Sequence, residues 1–562
     1  MISFILKIFI IHYLLIPIGS LISSQQENRY ITFSTNLIYG LILISFFALL
    51  INFFSPLNLI VNSLIILTLF LSSIYKQWEM ILNKELFIYS IVSTFIISIL
   101  ILESNVYRPD AGLYHLPFIN ILNEEKIIFG LSNLHFRYAH TSILQHTSAV
   151  MNNYLLGVNG IVIPSAILVS SILINFTFRI LNKINIKEFN IELYFLLFIQ
   201  IFIFFKINRY SEYGNDAPAH LLVFYLISIL IKKSFLNTDE ILKILILTLF
   251  IIQNKIILAF SVFFILIYLN KEFISKFWKK KNFYFLTLFF LIWIIKNLVI
   301  SGCFIFPVTS LCSENFLWSN KNLSKSVSIE NEAWAKGWPD YVNNTNLDKD
   351  KKVSIENYSK KFYWFKTWSS NHLKLIFKVI ISYLLISLII FAFFFKIQNE
   401  KKINEKNFEK YIYWIIFILI ISNIIWIIKV PVFRYGYSYL ISLIVLTFSF
   451  IGFKYLDLRH NFLKKYIGFI CLGLLVITLK NGVRIIQTDN NYFNYPWPKF
   501  YSMDNVQNKY PDLEELYISE KKFYKPATNN YCMYFKSPCI NYGNYLNAKL
   551  VKKSGYYFIF LN

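Results

Sequence analysis

The feature that most constrains this chain is a series of apolar stretches, each long enough, or nearly so, to cross about 30 Å of hydrocarbon. They occupy residues 2–22, 37–54, 57–75, 86–102, 158–178, 191–205, 217–231, 241–253, 256–269, 283–300, 379–395, 411–428, 437–453 and 466–479. A peptide group left in lipid without a partner is costly, and only a helix satisfies every one of them within a single run. Helices are therefore expected for these stretches, with 241–253 and 256–269 read as a short hairpin, and the alternation of a membrane barrel is absent. The expected fold class is all-α, a polytopic integral membrane protein of about 12–14 transmembrane helices.

The composition agrees: 56% of the residues are hydrophobic and only 15% charged, with a mean hydropathy of +0.52, so the lipid bilayer is one partner. The formal charge of +24 does not indicate nucleic acid, because most of the Lys and Arg residues sit in short clusters between the apolar runs. Lys232, Lys233 and Lys243 form one such cluster, Lys271, Lys276 and Lys279 to Lys281 the next. Two more follow, Lys396, Lys401, Lys402, Lys406 and Lys410, then Lys454, Arg459, Lys464 and Lys465. Basic short loops face the cytoplasm, which divides the chain into N-terminal helices (1–102), a large extracytoplasmic loop with interfacial helices (103–157), central helices (158–300), a second extracytoplasmic loop (301–372), C-terminal helices (373–485) and a small outward tail (486–562). A multi-pass protein of the plasma membrane, with its polar chemistry on the extracytoplasmic face, is the expectation.

The outward segments carry that chemistry. Tyr107-Arg108-Pro109-Asp110-Ala111-Gly112-Leu113-Tyr114-His115-Leu116-Pro117 follows directly on an apolar run, which sets Asp110 at the membrane surface. Asp110 either caps the amphipathic helix that Leu113, Leu116, Ile119 and Leu122 outline or serves as a reactive carboxylate. His115, His135, His140 and His146 place four of the eight histidines in this loop, with Arg137 among them, a set with the chemistry to hold a phosphate or a divalent ion. A second polar knot, Lys206 to His220, contains Arg209 and Asp216; Asp216 is also a candidate cap, since Pro218 suits a first turn. Lys255, at the tip of the short hairpin, either faces a polar cavity or snorkels. Arg434 lies between aromatics in Phe433-Arg434-Tyr435-Gly436-Tyr437 and is either a bidentate clamp for phosphate or carboxylate or a lipid-headgroup contact. The spacing of Cys532 and Cys539 suits a local disulfide, Cys303 and Cys312 are a second candidate pair, and without neighbouring His a zinc site is not indicated.

Taken in order, Pro109-Asp110-Ala111, Tyr114-His115-Leu116-Pro117, Gly130-Leu131-Ser132-Asn133-Leu134-His135-Phe136-Arg137, Ser301-Gly302 leading to Pro307, Trp334-Ala335-Lys336, Pro431 with Arg434-Tyr435-Gly436, and Cys532 with Cys539 resemble the GT-C superfamily of membrane glycosyltransferases. The resemblance implies a GT-C-like fold and an inverting hexosyl or pentosyl transfer from a polyprenyl-phosphate sugar donor to a glycan, lipid or protein acceptor of the cell envelope. It further implies catalytic roles for Asp110 and His115, and substrate contacts from Tyr114, His135, Arg137, Arg209, Asp216, Lys255 and Arg434. The family often has a second acid beside its first-loop Asp, whereas Ala111 and Gly112 follow here; the cofactor is thus left open, a divalent metal ion being one candidate. The competing reading is a flippase, polymerase or other transporter of lipid-linked glycan. It predicts charges deep within spans, and there Lys7 and Glu192 are the clearest.

Overall fold

A computed structural model describes residues 2–26, 28–102, 110–206, 216–232, 236–343, 353–397, 406–459, 461–487, 512–527, 531–541 and 547–561. Four long helices open the chain: α1 (Ile2–Gly19), α2 (Arg29–Asn52), α3 (Leu59–Ile81) and α4 (Lys84–Leu102). Two short ones, α5 (Leu116–Glu124) and α6 (Ile143–Met151), lie in the loop that follows. Next come α7 (Ile163–Asn185), α8 (Ile191–Lys206), α9 (Asp216–Leu230), α10 (Thr238–Asn254), α11 (Lys271–Lys276) and α12 (Lys281–Ser301). The second loop carries α13 (Lys321–Ala335), α14 (Trp338–Asn343), α15 (Ile355–Lys360) and α16 (Trp364–Trp368). The last long helices are α17 (Lys374–Phe394), α18 (Lys406–Lys429), α19 (Phe433–Tyr455) and α20 (Phe462–Gln487). The ends of α17 and α19 are clipped together by two three-residue strands, β1 (Phe395–Ile397) and β2 (Leu456–Leu458).

The chain is a multi-pass, helical membrane protein. Among the described residues nine helices are long and apolar enough to cross a bilayer, or ten if the bent pair Ile256–Tyr268 and Lys271–Lys279 is one span. That is fewer than the dozen to fourteen expected. The difference lies largely in α8, α9 and α10, whose 16, 15 and 17 residues reach only about 22–26 Å. Their side chains are buried almost all round, Leu193 to Phe204 on α8 without exception, so their apolarity reflects an interior position and not a lipid-facing one. The hairpin expected at 241–269 is instead α10 followed, after Lys255, by a 3₁₀ run over Ile256–Tyr268.

Local chemistry fixes the helix starts. Asn28 accepts hydrogen bonds from the amides of Tyr30 and Ile31, and Asn237 and Glu240 form a reciprocal cap at α10. Inside the bundle, Arg179 on α7 donates to Glu192 on α8 at 2.9 Å and to the Ser228 hydroxyl on α9 at 2.8 Å, while Lys183 pairs with Glu192 at 2.9 Å. This nearly solvent-free triad ties three helices together at one point.

The tail is β-structured, which the sequence reading did not anticipate. Strand β3 (Leu513–Ile518) pairs antiparallel with β4 (Lys521–Pro526), and β5 (Ala548–Lys553) with β6 (Tyr556–Leu561). Cys532 and Cys539 are joined, as are Cys303 and Cys312. The second hairpin docks through main-chain bonds between Phe129 and both Tyr557 and Ile559 and through Asn133, whose amide donates to the Ile559 carbonyl at 2.8 Å. Gly130 (φ +70°) allows this approach, since a Cβ there would lie 2.3 Å from that carbonyl oxygen.

Candidate functional site

Asp110 immediately precedes a single wide π-turn, Ala111–His115, which runs into α5 with Pro117 in its first turn. Its carboxylate makes no capping bond. Instead Oδ2 faces Nη1 of Arg434 at 3.4 Å, so of the two roles open to Asp110 the structure does not place it as a cap. The turn is braced from behind by the tail: the Met533 amide donates to the Gly112 carbonyl at 3.1 Å and the Asn541 side chain to that of Leu113 at 2.6 Å.

Arg434 enters from the first turn of α19. Its guanidinium lies over the rings of Trp334 and Tyr435, 5.6 and 5.0 Å from their centroids, and donates to the Tyr435 hydroxyl at 3.1 Å. Nε has no hydrogen-bond partner among the described residues. The Arg434 carbonyl accepts from Lys255 Nζ at 3.1 Å and lies 2.9 Å from His220 Nε2. Lys255, where α10 gives way to the 3₁₀ run, also pairs with Asp216 at the start of α9. A carboxylate there suits the positive end of the helix, and the ion pair joins α9 to the α10 terminus.

His115 is held by Gln145 of α6, with Nδ1 to Nε2 at 2.8 Å. Gln145 Oε1 already accepts the Ser142 amide at 3.0 Å, so its NH₂ must donate to His115, and the neutral ring carries its proton on Nε2. Burial keeps the ring neutral, lowering its pKa to about 4; Asp110 and Asp216 pull it up, Arg137 and Arg434 push it down. Tyr114 packs on His115 with ring centroids 4.3 Å apart, and burial raises its hydroxyl well above the usual range.

These groups converge on one cavity of about 750 Å³, lined by Asp110, Tyr114, His115, Arg137, Asp216, Lys255 and Arg434, within the size range of small-molecule sites. Part of its wall is apolar, with Phe202 on α8 and Leu375 and Val379 on α17, the least buried of the candidate spans. His135 is the exception: it is not among the lining residues, and its Nδ1 accepts the Arg137 amide at 3.1 Å, so it caps the 3₁₀ turn Phe136–Ala139 and orients Arg137. Arg209 falls outside the described residues. The sequence reading missed Glu332, which lines the cavity and pairs with Lys336 at 2.6 Å and Lys429 at 3.4 Å; as one acid within a polar helix it carried no distinguishing signal. It also missed Gln145, which as one amide in a short helix carried no signal.

For a divalent ion the ligand set does not fit. Asp110 and Asp216 each face a cation, and among the described residues no three His, Cys, Asp or Glu side chains gather closely enough to hold a metal.

Fold and cavity together define a multi-pass membrane protein with a charge-lined chamber at one end of its helix bundle. The chain belongs to the family of a domain of unknown function, DUF8201, whose profile matches residues 1–441. Every charged cavity residue named above lies within the matched region, and the tail hairpins lie beyond it. No curated protein and no solved structure matches the chain.

Proposed function

We propose that this protein is an inverting GT-C-like glycosyltransferase of the plasma membrane, moving a sugar from a polyprenyl-phosphate donor to a cell-envelope acceptor at the extracytoplasmic face. The observation that carries the reading is the meeting of Asp110 and Arg434, 324 positions apart, in a cavity that also has an apolar side formed by Phe202, Leu375 and Val379. A carboxylate beside a cation, next to an apolar wall, suits a substrate with an oxyanion at one end and an isoprenoid at the other. Asp110 takes the proton of the acceptor hydroxyl as its oxygen bonds to the anomeric carbon. The bond from that carbon to the phosphate oxygen breaks, and Arg434 and Lys255 stabilise the charge left on the departing phosphate. An entering phosphate competes with Asp110 for Arg434, so donor binding itself frees the base. Neutral His115 offers its Nε2 proton as a hydrogen bond to substrate.

The test uses purified wild type and Asp110→Asn in nanodiscs, a panel of radiolabelled polyprenyl-phosphate sugars, and transfer followed with and without chelator. Consumption of one donor by the wild type alone supports the reading; equal behaviour of the two proteins rejects it. Movement of lipid-linked glycan is the second reading, favoured by the charges of Arg179, Lys183 and Glu192 within the bundle. It requires that triad to change during turnover, whereas glycosyl transfer requires only that it hold.

A further inference from the structure

The charges around the cavity are unevenly compensated. Asp110 and Asp216 answer Arg434 and Lys255, and Glu332 answers Lys336 and Lys429. Lys206, at the α8 side, donates to the Ser382 hydroxyl, and a further corner, built from the 3₁₀ turn Phe136–Ala139 and α12, has cations with no acid paired to them among the described residues. Arg137 lines the cavity there with its guanidinium 5.5 Å from the Tyr114 ring centroid and 4.9 Å from that of Phe136; among the described residues it faces no carboxylate. Contact with two rings holds the planar group in place while leaving its donors without a partner among the described residues. Lys296 on α12 is 3% exposed, and its side-chain nitrogen makes one hydrogen bond among the described residues, 3.3 Å to the hydroxyl of Thr141, itself a cavity residue. Its titratable neighbour His146, 1% exposed, is held neutral by burial and by the Lys296 charge, with a pKa of about 3, and brings no negative charge. Asn297, one position along the helix, adds an amide to the same wall.

A buried amine with no counter-charge among the described residues is costly to keep protonated, and an oxyanion in the adjoining chamber would favour its charged form. We infer that this corner is a second anion subsite, separate from the Arg434–Lys255 end, and that it holds an acidic group of the acceptor, a carboxylate or phosphate on a sugar. The word acceptor rests on the glycosyltransferase reading; the subsite itself does not. Arg137 would grip the oxyanion in bidentate fashion, and Lys296 would act through Thr141 as a positioning charge. The acceptor would then lie with its acidic group at Arg137 and its hydroxyl toward Asp110, and the donor phosphate toward Arg434.

Calorimetric titration of inorganic phosphate and of glucuronate into the full chain in phosphatidylcholine nanodiscs tests this directly. The wild type binds glucuronate, and phosphate serves to read the Arg434–Lys255 end, where Arg434→Gln weakens phosphate binding. Arg137→Gln and Lys296→Met, a near-isosteric neutral change, each weaken glucuronate binding about tenfold, the scale of one lost charge-assisted contact, while Arg434→Gln retains it. Arg137 lines a cavity, so its variant keeps the test decisive if Lys296→Met fails to fold. Repeating the titration in phosphatidylglycerol nanodiscs separates the sources: loss of binding there assigns the subsite to a lipid headgroup and overturns its acceptor role, whereas unchanged binding supports a soluble or glycan-borne anion. Unaltered binding in Arg137→Gln, or no binding by the wild type, overturns the subsite. Binding that follows Arg137 in a protein transferring no sugar would leave the subsite standing and remove the glycosyltransferase.

Discussion

Replacing Asp110 by Asn removes one charge and almost no volume, and two effects of opposite sign follow. At 3.4 Å from Arg434, a unit charge attracts another by about 5 kcal/mol at an effective dielectric constant of ~20. Both side chains are more than one-third exposed, at 38% and 35%, and solvent screening reduces such a pair to about 1 kcal/mol. Freed of that competitor, Arg434 holds a donor phosphate about fivefold more tightly. The transfer step moves the other way, because losing a positioned base lowers the rate by about 10²–10⁴-fold. Donor affinity by titration in nanodiscs and single-turnover transfer with saturating acceptor read the two separately. A carboxylate acting only on its own helix would give neither change. Weaker donor binding by Asp110→Asn, or a transfer rate within about tenfold of wild type, refutes the argument.

Glu192→Gln leaves Arg179 and Lys183 buried without their shared acid and should cost about 3–5 kcal/mol; denaturant unfolding in detergent measures it, and a loss below about 1 kcal/mol would mean the triad is open to water. The loop histidines set a pH dependence. His115, His135 and His146 are depressed by burial to about 4, 4 and 3, whereas the unfolded chain protonates them near 6.5. Their stabilisation is therefore complete above pH 6.5 and lost as pH falls toward 4 and then 3, each unit of separation being worth about 1.4 kcal/mol. The unfolding temperature should drop between pH 7 and pH 5, and a flat profile over that window contradicts the buried-neutral assignment. Gly130→Ala forces a left-handed residue with a Cβ against the Ile559 carbonyl, a backbone cost of about 1–2 kcal/mol before the clash; faster proteolytic release of the tail from an intact helical bundle is the expected readout, and wild-type resistance argues against the docking.

Sequence patterning made the helices visible because an apolar run in lipid has one solution, and it picked out Asp110, His115, Asp216, Lys255 and Arg434 because polar groups beside such runs are conspicuous. It could not rank the roles of Asp110, since capping and ion pairing begin from the same residue and only the position of Arg434, 324 residues away, separates them. The span count came out high because α8 to α10 are as apolar as lipid-facing helices while being sheathed by protein; hydropathy does not distinguish the two environments. His135 looked like its neighbours in the loop, but its role depends on one 3.1 Å bond to a nearby amide. The tail strands were missed because Lys549-Leu550-Val551-Lys552-Lys553 and Tyr556-Tyr557-Phe558-Ile559 are short and lack the alternation that marks a strand, and the second of them docks on Phe129, which is distant in sequence.

The bracing of the Asp110 turn by Met533 and Asn541 also sets an order of events in biogenesis. Ribosomes deliver α1 through α20 before those residues emerge, so every charged group of the chamber has been synthesised while the wall behind Gly112 is still missing. A chain released before residue 531 would carry all of those groups and yet lack the Gly112–Met533 and Leu113–Asn541 bonds that hold the turn in place. The chamber is thus completed last, from a segment lying outside the region that defines the family, and its readiness is tied to delivery of the whole chain.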